Sequence, residues 1–205
     1  MYKFTHVNLF PILISGSNID RHLTDDEKRT VDLLSNDRKQ NAGNNTSTVN
    51  TYVLNEHFPE IRKFIEHNIQ HYVESAISAG DDVEFYITQS WLNWTEPGKS
   101  HHRHAHANSI ISGVFYFNAD PAVDRIYFYN DRTQQLRFSP KQYNMYNSEH
   151  WWLPCATGDV ILFPSTLYHK VQPVVNKETR ISLAFNVFAR GSFGDDASTT
   201  SLFLK

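Results

Sequence analysis

The sequence predicts a mainly β fold, a sandwich or barrel of short strands with helices packed on one side. Phe, Tyr and Trp (14, 10 and 4 residues) make up 14% of the 205-residue chain, and aromatic rings pack well on pleated surfaces. Helical periodicity is confined to the first 82 residues, and beyond them the apolar pattern keeps a strand-like period.

Taken in order, Val7 to Ile14 reads as an early strand interrupted at Pro11. Thr24 to Lys39 is polar and helix-compatible: Thr24 and Glu27 form a capping box, and Val31, Leu33 and Leu34 give a narrow apolar face. Gln40 to Asn50 is almost entirely small and polar and reads as a surface loop. Pro59 to Ala79 is the clearest helix, with Ile61, Phe64, Ile65, Ile69, Tyr72, Val73 and Ala76 on one face. One apolar face fits a helix lying on the outer side of a sheet, and Gly80-Asp81-Asp82 stops it. Strands are then expected over Val83–Trp94, Ile110–Asn118, Arg125–Tyr129, Trp151–Pro154, Asp159–Phe163, Tyr168–Val174 and Arg180–Phe188. The expected layout is one domain over residues 1–205: a strand and helical portion to about 82, a core over about 83–190, and a tail over 191–205.

Hydrophobic content of 40% with 20% charged residues is ordinary for a soluble protein. A net charge of -3 argues against a nucleic-acid surface built on bulk electrostatics. The single cysteine, Cys155, excludes an intrachain disulfide and a thiolate metal cluster, and a lone thiol fits a reducing compartment. No apolar run reaches helix-spanning length, so no membrane span is expected. The N-terminus reads as strand and not as a signal peptide, and a cytoplasmic location is expected. A homodimer would cover the apolar Leu202-Phe203-Leu204 and the aromatic surplus.

The chemistry concentrates in a few residues. His101, His102, His104 and His106 lie close together, and imidazoles two apart on a strand point the same way. His104 and His106 can therefore converge, with His102 a rival of the same parity. His169 sits on a later strand after the Phe163-Pro164-Ser165 turn. Two adjacent ligands plus one distant ligand is how a barrel assembles a facial metal site with open positions. An isolated HxH pair is as readily a surface feature, and His169 alone would read as an ordinary hydrogen-bonded histidine. The apolar strand that follows, Ile110 to Phe117, places the pair at a barrel mouth. Arg180 opens another apolar strand and shares a face with Ser182. A guanidinium aimed into a barrel needs an anion, and its fork suits a carboxylate. The alternatives are an internal salt bridge to Glu178 or Asp159, or exposure at the strand start.

These motifs resemble the 2-oxoglutarate- and Fe(II)-dependent oxygenase superfamily. They are similar above all to a small oxygenase family of marine bacteria and their viruses. The resemblance rests on Ser90-Trp91-Leu92-Asn93, His104-Ala105-His106-Ala107-Asn108-Ser109, Ser112-Gly113-Val114-Phe115-Tyr116, Phe163-Pro164-Ser165-Thr166-Leu167-Tyr168-His169 and Arg180-Ile181-Ser182, in that order. It covers roughly Glu84 to Phe188 and implies a double-stranded β-helix (jelly roll, cupin-like) with helices outside one sheet. It also implies Fe(II) on His104, His106 and His169, and 2-oxoglutarate as co-substrate anchored by Arg180 and Ser182. Asn108 and Tyr116 are candidate co-substrate contacts, with Ser112 another. His106 stands where the superfamily usually has a carboxylate, and Asp120 and Asp124 rank behind it as substitutes. The implied activity is oxidative decarboxylation of 2-oxoglutarate coupled to hydroxylation of a small molecule or peptide residue by dioxygen.

Two other classes fit the sequence. A cupin-like three-histidine metalloenzyme without 2-oxoglutarate explains His106 but leaves Arg180 without its special meaning. A non-enzymatic jelly-roll binding protein would bind no stoichiometric metal. Trp91, Trp94, Trp151 and Trp152 could line a substrate pocket, although each reads more readily as core. The Asn-rich segment before the long helix and the segment Tyr143 to His150 are lid candidates.

Overall fold

A computed structural model describes residues 3, 5–130, 136 and 139–205. The first elements are β1 (Ser15–Asn18), α1 (Asp25–Leu34), β2 (Arg38–Gln40), β3 (Thr46–Thr48), α2 (Val53–His57) and α3 (Pro59–Tyr72). A π-helical turn over Val73–Ile77 follows α3. The strands after it are β4 (Val83–Thr95), β5 (His101–His104), β6 (Ile111–Asn118), β7 (Arg125–Tyr129), β8 (His150–Pro154), β9 (Asp159–Pro164), β10 (His169–Val171), β11 (Arg180–Phe193) and β12 (Leu202–Leu204).

The strands form two antiparallel sheets. The major sheet runs β1-β9-β6-β11-β4-β3-β2, with β12 added to β11, and the minor sheet runs β5-β10-β7-β8. The arrangement is the expected double-stranded β-helix, with the helices packed on the outside of the major sheet. Alternation along the central strands decides what each face does. Leu183, Phe185 and Val187 of β11, Phe115 and Phe117 of β6, and Leu92 and Trp94 of β4 pack with Leu54, Phe58, Ile61, Ile65 and Ile69 of the helices. The residues between them point inward. On β6 and β9 these are Val114, Tyr116, Ile161 and Phe163, which meet Ile126 and Phe128 of the minor sheet. On β11 they are Arg180, Ser182 and Ala184, which line an internal chamber. Gly113 lies on the helix side, where a Cβ would collide with the Phe185 ring and Leu162; a larger residue would push the two central strands off their neighbours.

Three expectations are corrected. Val7 to Ile14 forms no strand, and pairing begins at Ser15 against Leu162 of β9. Pro11 has no N–H for a ladder, and Phe10 takes a left-handed φ of 56°. Gln40 to Asn50 is not a bare loop, because β2 and β3 form a hairpin whose second strand pairs with β4. Two of its polar side chains help to hold it: the Leu92 N–H donates to Thr48 Oγ1 (3.2 Å), and Ser47 Oγ donates to Asn41 Oδ1 (3.0 Å). The long helix leaves α-helical geometry after Tyr72. The capping box at Thr24 forms as expected, with the Glu27 N–H on Thr24 Oγ1 and the Thr24 N–H on the Glu27 carboxylate.

Candidate metal centre

His104 and His169 are direct cross-strand partners on β5 and β10. His106 lies just past β5, where its N–H donates to the Ser165 carbonyl (2.9 Å). One nitrogen from each ring falls within 4.8 Å of the others. The ring centroids are 4.3, 5.1 and 5.2 Å apart.

The hydrogen bonds fix which nitrogen faces inward. Nδ1 of His104 is 2.8 Å from the His102 carbonyl, Nδ1 of His169 is 3.1 Å from the Leu167 carbonyl, and Nδ1 of His106 is 2.6 Å from Asn186 Oδ1. A carbonyl oxygen only accepts, so each neutral ring carries its hydrogen on Nδ1 and keeps the Nε2 lone pair free. Nε2 of His106 is buried without a protein partner. Asn186 Oδ1 also accepts from Ser112 Oγ (3.3 Å), which joins Ser165 and Ser109 through two contacts of 2.8 Å. Burial lowers the His104 imidazole from 6.5 to about 4 and that of His169 to about 2, so both rings are neutral at pH 7. Three neutral imidazoles with Nδ1 tied to oxygen and Nε2 free fit Fe(II) or another first-row divalent ion. Among the described residues, no carboxylate joins either group of converging ligand atoms.

A second feature lies deeper. Arg180 is buried, donates from Nη1 to the Arg125 carbonyl (3.0 Å), and lies 5.2 Å from the centroid of the Tyr116 ring. Its Nε and the Tyr116 hydroxyl have no protein partner. Burial raises the Tyr116 hydroxyl well above its ordinary 10, so it stays protonated and can donate. The Cys155 thiol lies beside this hydroxyl and interacts with it, and it also donates to the Leu153 carbonyl (3.7 Å). Among the described residues, no carboxylate reaches the Arg180 guanidinium within 4.0 Å, so the bridge to Glu178 or Asp159 does not form. The inner chamber between histidines and guanidinium encloses about 40 Å³. Trp91, His101, His104 and His106 are shared with an outer cavity of about 380 Å³ that includes Asn41, Ser47 and Gln89.

The structure therefore brings His104, His106, His169, Tyr116, Arg180 and Ser182 to one chamber. Asn108 is not among them: it is exposed, with a φ of 54° in the turn after β5. Trp91 lines both cavities, whereas Trp94 belongs to the helix-side core and Trp151 and Trp152 lie exposed on β8. Asp120 and Asp124 border a separate cavity on the far side of Arg180. Sequence reasoning missed Asn186, and it named His101 in the histidine cluster without placing it at the chamber. Asn186 is legible afterwards as a polar residue continuing the even-numbered inward series of Arg180 and Ser182.

Two outcomes follow from this geometry. Asn186→Leu removes the acceptor that orients His106 and should weaken Co(II) binding about 10- to 100-fold, with Asn186→Asp retaining most of it; competitive chelator titration measures both. The unfolded chain protonates its histidines near pH 6.5, whereas the folded chain keeps His104 and His169 neutral down to about 4 and about 2. The unfolded state therefore binds more protons below pH 6.5, and the metal-free protein should lose stability as pH falls through that window and none from these groups above it. Denaturant titrations at successive pH values should show a shallower loss for His169→Phe.

A family model described as "Putative 2OG-Fe(II) oxygenase" matches residues 89–186. No curated protein matches the chain. Among solved structures, the fold is similar to an oxidoreductase of the 2OG-Fe(II) oxygenase family from Burkholderia pseudomallei (TM-score 0.55, 13% identity, covering 85% of this chain and 83% of that one). It is also similar to a Pseudomonas putida prolyl-4-hydroxylase (0.55, 14%, 84% and 91%). A third likeness is to the non-heme alpha ketoglutarate dependent carbocyclase SnoK from nogalamycin biosynthesis (0.54, 12%, 86% and 81%). At these identities the likeness is one of fold. The chain is thus similar in fold, and over residues 89–186 in sequence, to 2OG-Fe(II) oxygenases.

Proposed function

We propose that this chain is a three-histidine metalloenzyme built on the oxygenase jelly roll, acting on a small molecule that enters by the outer cavity. The observation that carries the reading is the convergence of His104, His106 and His169 with no carboxylate among the converging ligands. On donor set alone, this supports the cupin-like class better than the superfamily's usual two-histidine, one-carboxylate pattern. A bound Fe(II) would supply an oxygen-activating centre with open coordination positions. The protein's part is to hold three Nε2 lone pairs in place through Asn186 and two backbone carbonyls, with Trp91 stacked on His106 (5.9 Å between centroids).

One observation favours a second reading, Fe(II)- and 2-oxoglutarate-dependent hydroxylation. Arg180 Nε and the Tyr116 hydroxyl are buried, unpartnered donors on the wall of the histidine chamber. A remote carboxylate seated between them, with Ser182 adding a hydroxyl, would satisfy both and offset the cost of burying the guanidinium. The chamber wall would have to yield to admit a five-carbon diacid. The order of the five motifs supports, on this reading, a likeness to the marine bacterial and viral oxygenase family.

Anaerobic titration of metal-free protein with Fe(II) and then 2-oxoglutarate separates the readings. The first expects stoichiometric Fe(II) and no charge-transfer band on adding the oxo acid. The second expects a band only with both present, and Arg180→Gln should weaken 2-oxoglutarate about 10- to 100-fold while retaining Fe(II). Absence of bound Fe(II) would contradict both.

A further inference from the structure

The chain carries two imidazoles beside this centre that the centre does not use. His169 pairs with His104, yet Val171 pairs with His101 where a regular ladder would give His102. The extra residue in β5 is a bulge, and a bulge reverses which side chains face inward. It brings His101 to the chamber side, while His102 stays exposed. One ligand atom from each of His101, His102 and His104 falls within 4.8 Å of the others, as in the inner group. Their ring centroids are 4.5, 4.8 and 5.2 Å apart, so the outer triad is as compact as the inner one.

The two triads share one donor. Nδ1 of His104 is committed to the His102 carbonyl, so its Nε2 is the one lone pair available to either set. A single ion can therefore use the outer or the inner triad, but two ions cannot use both. Position gives the order of use: His102 is exposed and lines the outer cavity, His101 lines both spaces, and His169 lines the inner chamber alone.

We propose that His101, His102 and His104 form a capture site for a first-row divalent transition metal, which passes inward by exchanging His101 and His102 for His106 and His169 while held on His104. Each exchange replaces one imidazole donor by another, so the ion keeps the same donor type throughout. The proposal rests on the inner triad being a metal centre, and the test separates the two claims.

Co(II) is the probe, read by its visible ligand-field bands and by equilibrium dialysis. The wild type should bind one Co(II) per chain. His106→Ala/His169→Ala, which removes the inner site, should still bind one Co(II) with a changed spectrum, and adding His102→Ala should abolish it. In the otherwise wild-type chain, His102→Ala should slow Co(II) loading in stopped flow by about tenfold and leave the final stoichiometry unchanged. Loading as fast as wild type would overturn the relay even if the double variant failed to fold. A folded double variant without Co(II) would overturn the capture site alone, and a wild type without Co(II) would overturn the inner centre as well.

Discussion

The site depends on a sheet buried on both faces. Helices need an apolar surface to lie on, and β4, β6 and β11 supply it from every second residue. The residues between are thereby forced inward, and several of them are polar: Asn93, Ser112, Arg180, Ser182 and Asn186. Buried polar groups must find partners, and most do within the barrel. Among the described residues six side-chain atoms do not: three belong to Asn45 and Thr46 at the β2–β3 turn, and the other three, His106 Nε2, the Tyr116 hydroxyl and Arg180 Nε, lie on the wall of one chamber. In a fold that satisfies the neighbouring Ser112–Ser165–Asn186 network, a concentration of unmet lone pairs and donors marks where an ion and an anion belong.

The imidazoles illustrate the same economy at smaller scale. Burial makes charge expensive, so these rings are held neutral, and a neutral ring has one donor and one acceptor nitrogen. By spending the donor on a carbonyl in all three cases, the fold leaves the acceptor to the chamber. Two of the carbonyls lie two residues before their own histidine, His102 for His104 and Leu167 for His169. The third comes from a distant strand through Asn186. Orientation of His106 therefore depends on the register of β11 with β6, whereas His104 and His169 orient themselves locally.

The sequence made the strands after residue 82 visible because their apolar and aromatic residues alternate against two buried faces. It made Arg180 and Ser182 visible for the same reason. It hid β1, β2 and β3, whose residues are Ser, Asn, Thr, Arg, Lys and Gln and whose pairing is held by backbone and side-chain hydrogen bonds. Simple parity gave His102, and not His101, the inward position, because a bulge is a property of the ladder and leaves no periodic mark on one strand. Asn108 drew notice from its motif, but its left-handed backbone fits a turn role. Asn186 escaped notice because a lone amide in an apolar strand shows its purpose only when the facing ring is known.

The central claim is that the fold presets three imidazoles, each with hydrogen on Nδ1 and a free Nε2. Long-range ¹H–¹⁵N correlation spectra of the ¹⁵N-histidine-labelled, metal-free protein at neutral pH test it most directly. The account predicts the Nδ1–H tautomer for His104, His106 and His169, with Zn(II) shifting only their Nε2 resonances. An Nε2–H tautomer at any of the three, or Nε2 resonances unmoved by Zn(II), would contradict it.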